Sequence, residues 1–264
     1  MNMKWHRIQG VLMRHLYLYQ RSIPRLMDIF YWPIFELLLW GFISAFIATF
    51  HIAGFNAVTV LLGAIIFWDL LSQSQRSVSV AFLEEVWEKN FLNLFVTPLT
   101  INEFIASSFL LGLTRILMAG SVMAGLAFLL YHFNIFTFGL FLIPFVLNLL
   151  VFGWTLGLFS TAIILRFGTS AQVLAFGLIS IFQPFSAVFY PVSALPESVQ
   201  FIAYSIPSTY VFEGMRSVIA TGHMSLENFL FAVGTNLIYL FLTFWYFHRM
   251  FAVVKEKGLL MKLD

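Results

Sequence analysis

The chain has 264 residues, of which 61% are hydrophobic and 10% charged, with a formal net charge of +2. Soluble domains carry roughly 45–50% apolar and 25% charged residues, so an ordinary water-facing surface is excluded and lipid is the expected solvent. Cysteine is absent, which also excludes disulfides, a thiolate nucleophile and a Cys-ligated metal.

Residues 1–28 carry Lys4, Arg7, Arg14, Arg21 and Arg25 spread throughout. No compact apolar core with a small-residue cleavage site follows a basic start, so no cleavable signal peptide is expected. Trp5, Ile8, Leu12, Leu16, Tyr19 and Ile23 recur at steps of three or four, with Arg7, Arg14 and Arg21 on another face. This pattern predicts an amphipathic helix lying on the inner membrane surface, held by anionic lipid or involved in gating. Beyond it, apolar runs approach the roughly 20 residues a helix needs to cross a hydrocarbon core. They predict transmembrane helices over 29–50, 57–79, 103–131, 137–165, 170–190 and 228–249. The ~10-residue alternating strands of a membrane barrel are missing, and neither an internal repeat nor a low-complexity linker divides the chain. The expected fold is an all-α integral membrane protein, a single domain over 1–264 with six transmembrane helices.

An even number of spans puts both termini on one side. On that side fall Lys4, Arg7, Arg14, Arg21, Arg25, Arg76, Lys89, Arg166, Arg249, Lys255, Lys257 and Lys262, twelve of the 14 Lys and Arg, while the opposite side has Arg216. The positive-inside rule therefore predicts cytoplasmic termini and a cytoplasmic 80–102 loop. The remaining basic residue, Arg115, lies inside a predicted span, as do Glu36 and Asp69. At ~1.5 Å rise per residue the three share a similar depth. Unpaired charges are costly in lipid, so they should face the interior and pair, either fixing helix packing or forming a polar patch on a transport route.

A P-loop needs a lysine followed by Ser or Thr to hold phosphates and magnesium. None of Lys4, Lys89, Lys255, Lys257 and Lys262 has such a neighbour, so this chain is not its own P-loop ATPase. An intramembrane hydrolase needs an imidazole, paired carboxylates or a metal cluster at depth. Here His6, His15, His51, His132, His223 and His248 all fall in predicted loops or at span ends, and no His-Glu-x-x-His pattern occurs. No catalytic residue and no metal ligand is assigned.

Two stretches carry a family pattern. The first runs Glu84, Glu85, Val86, Trp87, Glu88, Lys89, Asn90, Phe91, Leu92, then Val96, Thr97, Pro98, Leu99, Thr100 and Glu103. The second comprises Phe182, Gln183, Pro184, Phe185, Phe189, Tyr190, Pro191, Val192, Leu195, Pro196, Ile206, Pro207, Glu213 and Arg216. In order and spacing the chain resembles the membrane-spanning permease of type-2 ABC exporters over essentially its whole length.

That resemblance implies a cytoplasmic coupling helix within the 82–100 loop, at about 82–92, carrying Glu84, Glu85, Trp87, Glu88, Lys89 and Phe91 and docking into a separate ATPase subunit. It implies an extracytoplasmic re-entrant hairpin over 184–210, gated by Pro184, Phe185, Phe189, Tyr190, Pro191, Pro196 and Pro207. Proline breaks helices by removing a donor and clashing with the preceding turn, which suits a dipping segment. It also implies a dimer seam and substrate path along Trp40, Phe42, Phe176, Ile179, Ser180 and Gln183. Glu213 and Arg216, three apart, are expected to pair on an exposed helix face, worth a few tenths of a kcal/mol. The partners implied are the ATPase, with its ATP and Mg, a second copy or a paralogous permease, and membrane lipid, with no nucleic acid. This chain itself would bind no cofactor. A prokaryotic plasma (inner) membrane is the expected location, and export of an amphipathic or hydrophobic drug, lipid or glycan-lipid the expected activity. A secondary transporter or channel, and a membrane-embedded enzyme acting on lipid-linked substrates, are the alternatives; the paired repeats or charged pore ring of the former are not found in the sequence.

Overall fold

The computed structural model describes residues 3–50 and 56–257, excepting the side chains of Phe91, Leu92 and Phe95. Lys262 and His51 therefore lie outside the described residues, as does the side chain of Phe91. Among the described residues the chain is helical, with no strand.

Helix α1 (Trp5–Arg21) ends at Ser22, whose extended backbone turns the chain into α2 (Ile23–Ala48), with Pro24 in the first turn. Asn56 caps α3 (Ala57–Trp87), its side chain accepting the Thr59 N–H at 3.0 Å. A tight turn at Glu88–Asn90, with Lys89 at φ 52°, leads into α4 (Phe91–Val96). Thr100 and Glu103 then form a reciprocal capping box that starts α5 (Ile101–Tyr131). A 3₁₀ segment, Ile135–Phe141, precedes α6 (Leu142–Phe167), and α7 (Val173–Phe182) follows a second 3₁₀ turn. The outer elements are α8 (Glu197–Ser205) and α9 (Pro207–Thr221), the latter closed by Gly222 in the left-handed conformation, and α10 (Leu226–Glu256) is the last helix.

Among the described residues, five stretches are long and apolar enough to cross a membrane: α2, α3, α5, the run Ile135–Ala171 and α10. The fifth expected span, 170–190, takes another form. Only the 10 residues of α7 are α-helical there, about 15 Å of rise, too short to cross a ~30 Å core unaided. Pro184 offers no N–H to continue the ladder, and the chain turns instead, with the Phe185 and Ser186 amides both donating to the Phe182 carbonyl.

Helix α3 is the axis of the bundle, buried over nearly its whole length. Such helices are expected to be apolar all round. This one instead carries Ser72, Gln73, Ser74, Gln75, Ser77 and Ser79, all buried. Their side chains reach the neighbours: Ser74 Oγ donates to the Leu150 carbonyl at 2.7 Å, Gln75 Nε2 to the Ala175 carbonyl at 3.0 Å and Gln73 Nε2 to the Ile29 carbonyl at 3.3 Å. Glycines on α5 and α6 permit that approach. A Cβ at Gly153 would stand 2.4 Å from Ser74 Cβ, one at Gly157 2.7 Å from the Gln75 carbonyl oxygen, and one at Gly112 2.5 Å from Ser77 Oγ. Without a hydrophobic drive between helices in lipid, close small-residue contacts and interhelical hydrogen bonds are what hold them together.

One apolar cluster joins Val11 of α1, Val86 of α3, Phe104 of α5, Leu165 of α6, Ala175 of α7 and Val254 of α10. Both ends of the described chain therefore meet at the same end of the bundle. The stretch from α7 through α9 connects α6 to α10.

Gly153→Ala is expected to destabilise the detergent-solubilised chain by about 1–3 kcal/mol, because the helices must part to admit a methyl group. Gly125→Ala on α5, where an added Cβ meets nothing within 4 Å, should be neutral or slightly stabilising. Thermal unfolding of the two variants side by side checks this.

Candidate functional site

The end of the bundle where both ends of the described chain meet gathers an acid–base clasp around the turn between α3 and α4. Arg14 donates to Glu85 Oε1, and its other amino group stands 3.4 Å from Glu88 Oε2. Arg25 Nε bonds Glu84 Oε1 at 2.9 Å, and its terminal nitrogen bonds Glu88. Glu85 is 1% exposed, and its second oxygen accepts from Asn90 Nδ2 at 2.8 Å. Glu103, also buried, accepts the Lys4 and Thr100 amides at 2.8 Å each, with Arg7 at 3.6 Å. The basic face of the amphipathic α1, expected to be held by anionic lipid or to serve in gating, bonds its own chain through Arg7 and Arg14. Trp5 and Ile23, expected on the apolar stripe, are exposed, and Val11 and His15 are buried in their place.

The expected coupling helix at 82–92 is likewise redistributed. Residues 82–87 are the last turns of α3, and the short helix is α4. Glu84 and Glu85 are largely enclosed and engaged internally, while Glu88, exposed, shares Arg14 and Arg25 with them. Trp87, half exposed, donates to Gln172 Oε1 at 3.2 Å and lies nearly parallel to Phe176 at 6.5 Å between centroids. Open at the tip are Glu88, Lys89, Asn93, Val96, Thr97 and Pro98, with Val96 86% exposed.

Deeper in, Arg115 is fully enclosed, and its partner is Asp28, at 2.5 Å. It also donates to Gln73 Oε1 at 3.1 Å and to Tyr19 Oη at 3.4 Å, while Arg76 approaches the other Asp28 oxygen at 3.4 Å. Burial pushes the Tyr19 phenol above its usual range, with the Arg115 guanidinium pulling the other way. The expected pairing of Arg115 with Asp69 or Glu36 does not form. Glu36 has no ion pair among the described residues, and Asp69, 3% exposed, has an oxygen without a hydrogen-bond partner. Asp28 sits one turn inside the start of α2, where the guanidinium reaches it from α5. A cavity of about 220 Å³ lies against this network, lined by Tyr19, Arg25, Asp28, Glu84, Trp87 and Arg115 among others.

At the opposite end of the bundle the prolines act as expected of breakers. Pro184 follows α7, Pro191 precedes a 3₁₀ turn, Pro196 caps α8 and Pro207 opens α9. Tyr190 Oη donates to the Pro184 carbonyl. The Glu213–Arg216 pair, at 3.0 Å, is more than an exposed helix pair. Arg216 also donates to the Ala187 and Val188 carbonyls at 2.8 and 3.3 Å, and Glu213 accepts the Val192 amide at 2.7 Å. Together they clip a turn in which Ala187 holds φ 51°. Phe185 joins Phe152, Phe182, Ile206 and Tyr239 around an apolar cavity of about 430 Å³.

The expected seam divides. Trp40 stacks on Phe189 at 4.0 Å, joining a seam residue to a gate residue inside one chain. Ile179 belongs to the core, and Gln183 is half buried. Phe42, Phe176 and Ser180 remain exposed. Sequence reasoning missed Asp28, Gln73, Tyr19 and the roles of Arg14 and Arg25. Asp28, the last charge before the first apolar run, was the available signal.

A double-mutant cycle of Arg115→Met with Asp28→Asn is expected to give an interaction energy of about 1–3 kcal/mol in thermal or denaturant unfolding. The corresponding cycle with Asp69→Asn should give well under half of that, since those two side chains do not touch.

No curated protein matches the chain. The family description of the ABC-2 type transporter matches residues 15–220, from the second half of α1 through α9. On that match the chain, all-helical and with several membrane-length helices, belongs to the ABC-2 type transporter family, as a membrane-spanning transport subunit.

Proposed function

We propose that this chain is the permease subunit of an ABC exporter that moves an amphipathic or hydrophobic substrate across a prokaryotic plasma membrane, driven by a separate ATPase. Both termini would be cytoplasmic, and two such chains, identical or paralogous, would form the pathway. ATP and Mg would sit on the partner. Membership of the family supports the permease role; substrate class and direction are our reading.

The observation that carries it is the tip formed by α4. Helices α3 and α5 each run 31 residues, about 46 Å, so their joined ends reach past a ~30 Å core. The six-residue α4 between them presents the exposed Val96. A short helix at the end of two rigid levers converts a partner's rigid-body shift into movement of the helices it joins. The acid–base clasp extends that movement to α1 and α2. On the far side, the clip by Glu213 and Arg216 holds the 187–192 turn above the apolar cavity, a suitable cap for an exit route. Irregular backbone at such depth is tolerated where protein covers it or it lines a cavity.

Val96→Asp changes the open face of α4 without touching the clasp. Co-expressed with the ATPase encoded beside its gene and purified by a tag on this chain alone, the native protein should carry a stoichiometric ATPase. The variant should lose about tenfold or more of the co-purified ATPase, a loss of about 1.4 kcal/mol or more, while its own unfolding temperature stays unchanged. An ATPase that binds both forms equally would refute α4 as the docking element, and absence of any associated ATPase would refute the exporter reading.

A further inference from the structure

Arg7, Arg14, Arg25, Arg76, Arg115 and Arg216 each meet a carboxylate of their own chain. Arg166, at the end of α6, and Arg249, near the end of α10, meet none among the described residues. Arg166 Nη1 stands 3.8 Å from Met250 Sδ with its guanidinium over the Phe167 ring, and the Arg249 guanidinium lies over Trp245. Both arginines are exposed, as are Lys255 and Lys257, with Glu256 between them. Leu165 and Val254 belong to the apolar cluster where both ends of the described chain meet, so the two guanidiniums stand at that end. Aromatic side chains beside them are what a helix carries at headgroup level.

From there α6 and α10 run side by side in the same direction. Met250 touches Arg166, Tyr246 lies 5.9 Å from Phe159 between ring centroids, and Asn236 Nδ2 donates to the Asn148 carbonyl at 3.1 Å. Phe152, Thr155, Phe159 and Arg166, spaced three, four and seven apart, fall on one face of α6; Tyr239, Thr243 and Met250 fall on one face of α10. Phe152, Thr155, Phe159, Tyr239 and Thr243 line the cavity of about 430 Å³. Arg166 is therefore in line with it. At ~1.5 Å rise per residue, the cavity wall begins about 10 Å from Arg166, at Phe159, and reaches about 21 Å, at Phe152. Half of a ~30 Å hydrocarbon core is about 15 Å, so a lipid with its headgroup on Arg166 ends its tail at this depth. The Thr155 and Tyr239 hydroxyls are turned to the Val151 and Ser205 carbonyls at 2.9 and 3.0 Å. What the wall offers a ligand is mainly phenyl and branched alkyl surface, and it opens sideways past Phe159 and Ile181, both exposed.

We propose that α6 and α10 hold one anionic phospholipid, its phosphate on Arg166 and Arg249 and one acyl chain running past Phe159 and Tyr246 into this cavity. Basic sites between membrane helices take phosphate-bearing headgroups, and a guanidinium bonds phosphate oxygens through paired N–H groups. The tail adds many small dispersion contacts with the aromatic walls. Charge selects the headgroup and depth selects the chain length, two requirements that neither a free anion nor a zwitterionic lipid meets together. The lipid is a resident of the site rather than a cargo, so the proposal stands on the membrane-spanning fold and not on the exporter reading.

The test uses the full chain in detergent, stripped of lipid, without any ATPase. It is given dipalmitoyl phosphatidylglycerol, dipalmitoyl phosphatidylcholine, dihexanoyl phosphatidylglycerol or inorganic phosphate, with bound lipid read by native mass spectrometry and stability by thermal unfolding. The long-chain anionic lipid should bind once per chain, raise the unfolding temperature, and bind about tenfold or more tighter than either other lipid, the scale that two basic contacts to an anionic headgroup give. Arg166→Gln combined with Arg249→Gln should lose the preference over phosphatidylcholine while unfolding at the native temperature when lipid-free. Should that variant fail to fold, the comparison of lipids on the native chain decides alone. Equal binding of phosphatidylcholine, or a preference that survives in the double variant, overturns the headgroup site. Equal binding of the dihexanoyl lipid overturns the tail in the cavity, and an equal rise with inorganic phosphate shows a free-anion site instead. No readout involves an ATPase, so failure here is distinct from failure of the exporter reading.

Discussion

Everything in this molecule is arranged around one helix that lipid never sees. Because α3 is enclosed by its neighbours, its side chains need not be apolar, and the Ser/Gln row at 72–79 can be used for bonds to α2, α6 and α7. In hydrocarbon such bonds have few competitors. The requirement is close approach, and Gly112, Gly153 and Gly157 supply it from α5 and α6. Packing density, polar satisfaction and helix spacing are thus set by the same few positions. The large side chains then go where they have room, into the Phe67, Phe138, Phe145 and Phe212 layer at the outer half.

The same rigid axis explains why the two ends differ. At the clasp end, α3 and α5 extend past membrane length into an environment where charges are affordable. There α1 and α2 bring Arg14 and Arg25 against Glu84, Glu85 and Glu88. Individually exposed pairs of this kind are worth little. Here they share carboxylates with each other and with Asn90, several are largely buried, and they join three helices and a turn. At the opposite end the chain is interrupted repeatedly, and one half-buried guanidinium, Arg216, supplies the donors that the broken backbone at 187–188 lacks.

Much of this was legible in the sequence, and the boundary of legibility is physical. Apolar length revealed the long helices because crossing a hydrocarbon core demands it, and proline positions revealed the breaks at 184, 191, 196 and 207 because their chemistry is local. The fifth expected span failed for the complementary reason: its apolar run was long enough, but Pro184 cut the helix and composition alone does not weigh one residue against twenty. Pairing was the harder matter. Arg115 was correctly expected to need a carboxylate, yet depth arithmetic along single helices pointed to Asp69 and Glu36. The rotation of α2 against α5 brought Asp28 instead, and rotation is a tertiary quantity. The polar row on α3 becomes intelligible only when the helix is seen to be central.

The clasp also bears on what touches a partner. A carboxylate that is 1% exposed and shared between an arginine and an asparagine is not available to another chain without breaking bonds at home. On the proposed reading Glu85 transmits force rather than receiving it, and so does Glu84. The surface left over at the tip of α4 is small, with Val96 and Pro98 set among Lys89, Asn93 and Thr97. On the proposed reading this separates two tasks that the sequence pattern had merged: an apolar contact that identifies the ATPase, and an ionic contact that spreads its motion to α1 and α2. A network whose members are all bonded to one another moves as a unit, so displacement of α4 cannot leave α1 behind unless those ionic bonds are first weakened. Their strength, rather than the contact with the partner, then sets how far a push at α4 travels into the bundle.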